Sequence, residues 1–218
     1  LMQKMLYDVE NLARRSASNL RRSSNMIPLD TQRRPQFLFL MGDSGIGKTR
    51  LAEEVSREGQ QRGWAVVWSR LYEQESGIPY RAWTEALRKL LNMSSSLLSS
   101  ENVQPLAILL PELAEVIPHI LRDKVAPSYA LTPEQERQRL WDVIVDLLKA
   151  TSETTPLLLV LDDIQWADSS SHDLLGYLVR HLYGYPIMFV STCRDSALPT
   201  DPHHPLRELV SHMQRERN

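Results

Sequence analysis

The run Gln36-Phe37-Leu38-Phe39-Leu40-Met41, then Gly42-Asp43-Ser44-Gly45-Ile46-Gly47-Lys48-Thr49, then Arg50-Leu51-Ala52-Glu53-Glu54-Val55 decides the fold of this 218-residue chain. The first part is short, apolar and rich in aromatic residues, as a buried strand is, and the last part reads as a helix. Between them lies the pattern GxxxxGK[ST]. Its glycines let the backbone turn through positive φ, so that successive N–H groups point at an anion seated on a helix N-terminus. Lys48 then reaches β- and γ-phosphate oxygens as a point charge, and the Thr49 hydroxyl is placed to hold a hydrated Mg²⁺ bridging them. The pattern predicts a nucleoside triphosphate site with Gly42, Asp43, Ser44, Gly45, Ile46, Gly47, Lys48, Thr49 and Arg50 around the phosphates. A glycine-rich turn that happens to precede a lysine is the alternative, and the strand and helix on either side argue against it.

A second apolar run, Pro156-Leu157-Leu158-Leu159-Val160-Leu161, ends in Asp162-Asp163. It reads as a central parallel strand covered on both faces, with its acids at the C-terminal edge where open α/β sheets bind ligands. In that setting Asp162 orients Mg²⁺ through its water shell and Asp163 polarises the attacking water. Without the glycine-rich loop, a strand stopping at a solvated Asp-Asp turn would be the better reading. A third strand, Pro186-Ile187-Met188-Phe189-Val190-Ser191-Thr192, delivers Cys193, Arg194 and Asp195 to the same edge. Arg194 is read as a sensor touching the γ-phosphate; the alternative is an arginine paired with Asp195 or solvated at a strand end. The expected catalytic groups are thus Lys48, Asp163 and Arg194, and the expected metal-holding groups Thr49 and Asp162.

Composition narrows the function classes. The 25 Lys and Arg against 27 Asp and Glu leave a formal charge of −2, so the overall balance points to neither a nucleic-acid nor a membrane surface. Residues 1–35 are an exception, with seven basic and three acidic groups. A solvated helix and linker explains them better than a basic arm on nucleic acid. A single cysteine, Cys193, excludes a disulfide framework and a cysteine-based metal site and predicts a reducing, cytoplasmic setting. No apolar run approaches the ~18 residues that span a bilayer, and no signal peptide is apparent. His119, His172, His181, His203, His204 and His212 show no HExxH or Cys/His metal spacing and read as surface or loop residues. There is no Gly-x-Ser-x-Gly nucleophile elbow and no internal repeat. The opening at Leu1 and the helix-like close predict a segment of a longer protein.

Along the chain, helical spacing of Leu1, Met2, Met5, Leu6, Val9, Leu12 and Ala13 predicts an amphipathic first helix, and residues 16–35 read as a linker. Met26, Ile27 and Pro28 are candidates to cover a base, but simple linker packing explains them better. Gly63 precedes a second strand, Trp64-Ala65-Val66-Val67-Trp68-Ser69, and residues 80–91 read as a helix. Residues 105–127 predict short helices broken at Pro111 and Pro118. Thr132, Pro133 and Gln135 form a helix start signal, followed by an apolar face of Leu140, Trp141, Ile144, Leu147 and Leu148. Asp168 is expected to cap the helix whose buried stripe is Leu174, Leu175, Leu178, Val179 and Leu182. Trp83 and Trp141 are read as core.

Taken with Ile78-Pro79-Tyr80-Arg81-Ala82-Trp83-Thr84-Glu85-Ala86-Leu87 and Glu134-Gln135-Glu136-Arg137, the three strand-end motifs resemble one family. It is the nucleotide-binding module of the signal-transduction ATPases with numerous domains (STAND), found in large bacterial LuxR- and MalT-type regulators and in some multidomain cyclases and kinases. The resemblance covers roughly residues 37–210. It implies an ATP/ADP-driven switch with slow turnover and an open state that self-associates with ATP·Mg²⁺ bound. Its partners would be other domains of the same chain, with nucleic acid met only through a domain outside this segment. The family's Gly-Arg-Glu signature before the first strand is missing from residues 1–35. Gln165 replaces the family's frequent histidine before Trp166, and the winged-helix lid is not part of this segment.

The expected architecture is an α/β fold: a P-loop NTPase three-layer αβα sandwich on a mainly parallel five-stranded sheet of order 5-1-4-3-2. Only four strands are clear, and the fifth is expected beyond residue 218. Residues 1–35 form an N-terminal helix and basic linker, and residues 36–218 a P-loop ATPase domain with a helical insertion at about 79–131. A DNA-remodelling or replication-initiator ATPase shares this fold but would need basic loops along the sheet edge. A non-hydrolysing scaffold is the third reading, because Asp163 stands where many fast ATPases carry glutamate.

Overall fold

The computed structural model describes residues 36–93, 101–111, 113, 131–198, 201, 204, 206–208, 210 and 211. The expected N-terminal helix and linker of residues 1–35, with Met26, Ile27 and Pro28, lie outside the described residues. So do residues 114–130 of the expected insertion, with Pro118 and His119, and also His203 and His212.

Four strands form one sheet: β1 (Gln36–Gly42), β2 (Ala65–Arg70), β3 (Leu157–Asp162) and β4 (Ile187–Arg194). Their order is β1-β4-β3-β2 and every neighbouring pair is parallel. This is the 1-4-3-2 part of the expected order; the expected fifth strand is not among the described residues. Each parallel pair needs a crossover, which is why strands alternate with helices: α1 (Lys48–Gln61), α2 (Arg81–Met93), α3 (Pro133–Thr154) and α4 (Ser169–His181).

The period-two alternation of strand side chains divides the core. Leu158, Val160, Met188 and Val190 face one side, where Ala52 and Val55 of α1 cover them. Leu157, Leu159, Leu161, Ile187, Phe189 and Cys193 face the other, against Leu87 and Leu90 of α2, Ile144 and Leu148 of α3, and Leu174 and Leu178 of α4. Because β3 and β4 are covered on both faces, their sequences read as unbroken apolar runs. The result is three layers, helix on sheet on helices. The tryptophan indoles also lock the second layer: Trp83 Nε1 donates to the Ser171 carbonyl at 3.1 Å, joining α2 to α4.

The expected helix starts at Thr132 and Asp168 hold, each for a visible reason. Thr132 accepts from the Gln135 N–H at 3.3 Å while the Gln135 side chain accepts from the Thr132 N–H at 2.9 Å, a reciprocal box that opens α3 at Pro133. Asp168 caps α4 through the Ser171 N–H at 3.0 Å. Helix α2 begins at Arg81 rather than Tyr80, because Tyr80 stands in the left-handed region at φ 59°. Its hydroxyl accepts from Trp141 Nε1 at 3.1 Å, a tertiary contact that helps hold the conformation. Among the described residues of the expected insertion, α2 is followed by a 3₁₀ segment, Glu101–Ile108, with Pro105 inside it and Pro111 beyond its end.

One expectation fails. His172 is not a surface or loop residue but is 2% exposed on the inner face of α4. The helix spacing that buries Leu174, Leu175 and Leu178 carries His172 inward with them.

Thr132→Ala removes one half of the capping box. It is expected to lower stability by about 1 kcal/mol, measured as a shift in the urea midpoint with an unchanged slope.

Candidate nucleotide site

The loop after β1 and the ends of β3 and β4 meet at the C-terminal edge of the sheet. Gly47, the residue before α1, has φ 99° and Gly45 has φ 80°. A Cβ built at either would meet nothing within 4 Å, so backbone conformation, not crowding, is what demands glycine there. The first N–H groups of α1, which follow this turn, lack intrahelical partners, the feature by which a helix N-terminus receives an anion. Lys48 Nζ donates to the carbonyls of Gly42 and Asp43, both at 2.8 Å, which holds the ammonium across the loop and leaves its third proton free for an anion. Asp43, Ser44 and Ile46 are exposed around it.

Thr49 is the first residue to join the two halves. Its hydroxyl donates to Asp162 Oδ1 at 3.0 Å across a sequence separation of 113. Asp162 is 2% exposed, so its charge depends on donors supplied by the protein. Thr192 at the end of β4 supplies the second, at 2.7 Å to the same Oδ1, and Arg70 at the end of β2 a third, Nε to Oδ2 at 3.2 Å. Thr192 also accepts the Asp163 N–H at 2.8 Å, so a single hydroxyl ties both acids of β3 to β4.

Asp163 lies just past the strand at φ 60°, half-buried, with its carboxylate accepting from Gln165 Nε2 at 2.9 Å. The carbonyl oxygen of the Gln165 side chain accepts from the Arg194 N–H at 3.3 Å. Gln165 therefore spans from the second acid to β4. Arg194 pairs in register with Gly42, the first glycine of the loop, which places its backbone beside the site. Arg50 is drawn elsewhere: its exposed guanidinium pairs with Glu53 at 3.7 Å and Glu54 at 3.1 Å along α1. Such exposed pairs are weak and do not commit the side chain.

Two neighbouring groups are tuned by burial. The Cys193 thiol is pushed up to about 11, first by desolvation and then by Asp195, so it stays protonated and is no nucleophile. His172 is lowered to about 4 by desolvation, opposed by its bond to a carbonyl and reinforced by His204. Neutral, it donates Nε2–H to the Ile164 carbonyl at 3.0 Å, and so ties α4 to the turn that follows Asp163.

The donor set fits a hard cation. A hydroxyl and a carboxylate 3.0 Å apart supply the oxygen ligands Mg²⁺ takes, and it characteristically uses few protein groups together with substrate phosphates. Among the described residues no cluster of three or more His, Cys, Asp or Glu forms a separate metal cage.

Residues 29–190 match the family described as AAA ATPase domain. The chain belongs to that family. Among curated relatives of this AAA ATPase domain, hybrid signal transduction histidine kinase G of Dictyostelium discoideum is 30% identical over 159 residues, 66% of this chain and 4% of that one. An uncharacterized protein of Rhizobium meliloti (strain 1021) is 26% identical over 175 residues, 73% of this chain and 16% of that one. The domain thus spans a small part of either relative. Solved structures similar to it include the cytoplasmic domain of the type VII secretion ATPase EccC of Thermomonospora curvata, with a TM-score of 0.38 and 17% identity over 83% of this chain and 18% of that one. The flagellar accessory protein FlaH of Methanocaldococcus jannaschii has a TM-score of 0.34 and 12% identity over 84% of this chain and 68% of that one. Among the described residues no helix is long and apolar enough to cross a membrane.

Sequence reading missed Thr192 and Arg70 and saw Gln165 only as a substitution. A polar residue ending an apolar strand was the available signal for Thr192. For Arg70 there was none, because its role depends on β2 lying next to β3.

Thr192→Val removes the hydroxyl shared by Asp162 and the Asp163 N–H. A loss of about 1–3 kcal/mol is expected in urea unfolding, while Thr192→Ser stays close to the unaltered domain. For His172 the folded value lies below the unfolded one. Its contribution to stability is therefore full above about pH 6.5 and is lost as pH falls toward about 4. His172→Gln should flatten the pH dependence of the melting temperature within that window; an unchanged slope would exclude the assignment.

Proposed function

We propose that this domain binds ATP and hydrolyses it slowly as the regulatory switch of a larger signalling or transcription-control protein. The observation that carries the reading is the 3.0 Å hydrogen bond from Thr49 to Asp162, which joins the phosphate loop to the acid of a distant strand. In this reading the N–H groups of the loop and Lys48 cradle the β- and γ-phosphates, Thr49 and Asp162 hold magnesium, and Arg194 reports the γ-phosphate. Bound there, magnesium neutralises phosphate charge and orients the phosphates for attack. Asp163 accepts the proton of the attacking water, held in place by Gln165 and by the bond from its own N–H to Thr192.

Slow turnover has a physical basis here. Aspartate reaches one methylene less far than glutamate, and the Asp163 carboxylate is already engaged by an amide donor at 2.9 Å. A slow hydrolase suits a switch whose lifetime in each state carries information. The resemblance to STAND modules supports nucleotide-dependent self-association, and together with the signalling relative in Dictyostelium it supports the regulatory setting. The engaged Asp163 also favours a second reading, a nucleotide-dependent scaffold that does not hydrolyse.

Lys48→Ala should abolish ATP binding in equilibrium fluorescence titrations while leaving the circular dichroism spectrum unchanged; retained micromolar affinity would rule out the loop as the site. Asp163→Asn should bind ATP as before and release no phosphate. If the unaltered domain also releases none, the scaffold reading replaces the hydrolase. Turnover unchanged by the substitution would put the water-activating group elsewhere.

A further inference from the structure

Asp162 has two oxygens, and each can accept about two hydrogen bonds. Thr49 at 3.0 Å and Thr192 at 2.7 Å both donate to Oδ1 and fill it. A water of a metal's hydration shell is left with Oδ2. That oxygen already accepts from Arg70 Nε at 3.2 Å. The placement is set by the sheet: Arg70 and Asp162 are register partners across β2 and β3, and the Leu71 N–H donates to the Asp162 carbonyl at 3.1 Å. The carboxylate is 2% exposed and the arginine side chain 51% exposed, so the guanidinium approaches the buried acid from the solvent side.

We propose that Arg70 sets how tightly the site holds magnesium, because its guanidinium and the metal's water shell share Asp162 Oδ2. The inference rests on the nucleotide reading above. Arginine stays charged under all working conditions, so it opposes a cation at this oxygen whatever the pH. Both hydroxyls already orient the carboxylate through Oδ1, so what Arg70 adds at this oxygen, besides tying β2 to β3, is a positive charge. The half-exposed guanidinium would oppose a cation held at this oxygen, so the linkage between metal and nucleotide is weaker than a neutral residue at this position would allow.

The test compares the affinity of the folded domain for a fluorescent ATP analogue in saturating Mg²⁺ with its affinity in EDTA. The ratio of the two measures how strongly metal and nucleotide support each other. Arg70→Gln, which keeps a donor and removes the charge, should raise that ratio about five- to tenfold. Arg70→Lys, which keeps the charge, should stay within about twofold of the unaltered domain. A ratio that is unchanged or lower in Arg70→Gln overturns the proposal, as does a lysine variant that follows the glutamine one. Failure of both Arg70→Gln and Arg70→Ala to fold, read by circular dichroism, assigns Arg70 a structural role instead and also overturns it. If the unaltered domain binds the analogue in neither condition, the nucleotide reading itself falls, and this proposal with it. Binding in both conditions with an unresponsive ratio removes only the role of Arg70.

Discussion

The carboxylate of Asp162 is an ionisable group held almost wholly out of water, and the site is built around satisfying it. A buried carboxylate is tolerated only where donors replace its hydration. Here they come from three places: the first turn of α1 through Thr49, the end of β4 through Thr192, and the end of β2 through Arg70. Each donor fixes a different element against the end of β3. The requirement of one charge therefore aligns the loop, the central strands and an outer strand at a single edge of the sheet.

That alignment works because the rest of the fold is closely packed. β3 and β4 are buried on both faces, with α1 on one side and α2, α3 and α4 on the other. A shift of one residue in either strand would turn its whole apolar set to the wrong face, so register is strongly specified. Register in turn sets the ends. Asp162, Thr192 and Arg194 come to the loop because Leu157 pairs with Ile187 and Gln36 with Met188 some five to seven residues earlier. Packing far from the site thus positions its chemistry.

The turn after β3 is held by a small hydrogen-bond network. Asp163 is held through its N–H by Thr192 and through its carboxylate by Gln165, which also accepts from the backbone of Arg194. His172 anchors the same turn from beneath through the Ile164 carbonyl. A second acid held on several sides is thereby placed accurately at the sheet edge.

Much of this could be read along the chain, and the boundary is physical. Local signals settled local structure: the glycine pattern between Met41 and Lys48, the box of Thr132 and Gln135, the cap at Asp168, and the apolar runs of β3 and β4. These depend on steric limits, period and hydrogen bonds between near neighbours, all of which act within a few residues. Sequence spacing also picked out Asp162 and Asp163 as acids at a strand end. What it could not supply was which strand lies beside which. Arg70 reads as an ordinary charge after a short strand until β2 is placed against β3, and Thr192 as the close of an apolar run until its hydroxyl is seen between two aspartates. His172 looked like a surface residue because a lone polar side chain carries no sign of the face on which its helix packs. The sequence by itself determined the elements and the loop's chemistry, since those rest on short-range forces. The company kept by Asp162, and with it the character of the site, was decided only by tertiary structure, because hydrogen bonds between residues a hundred positions apart exist only once the sheet has brought them together.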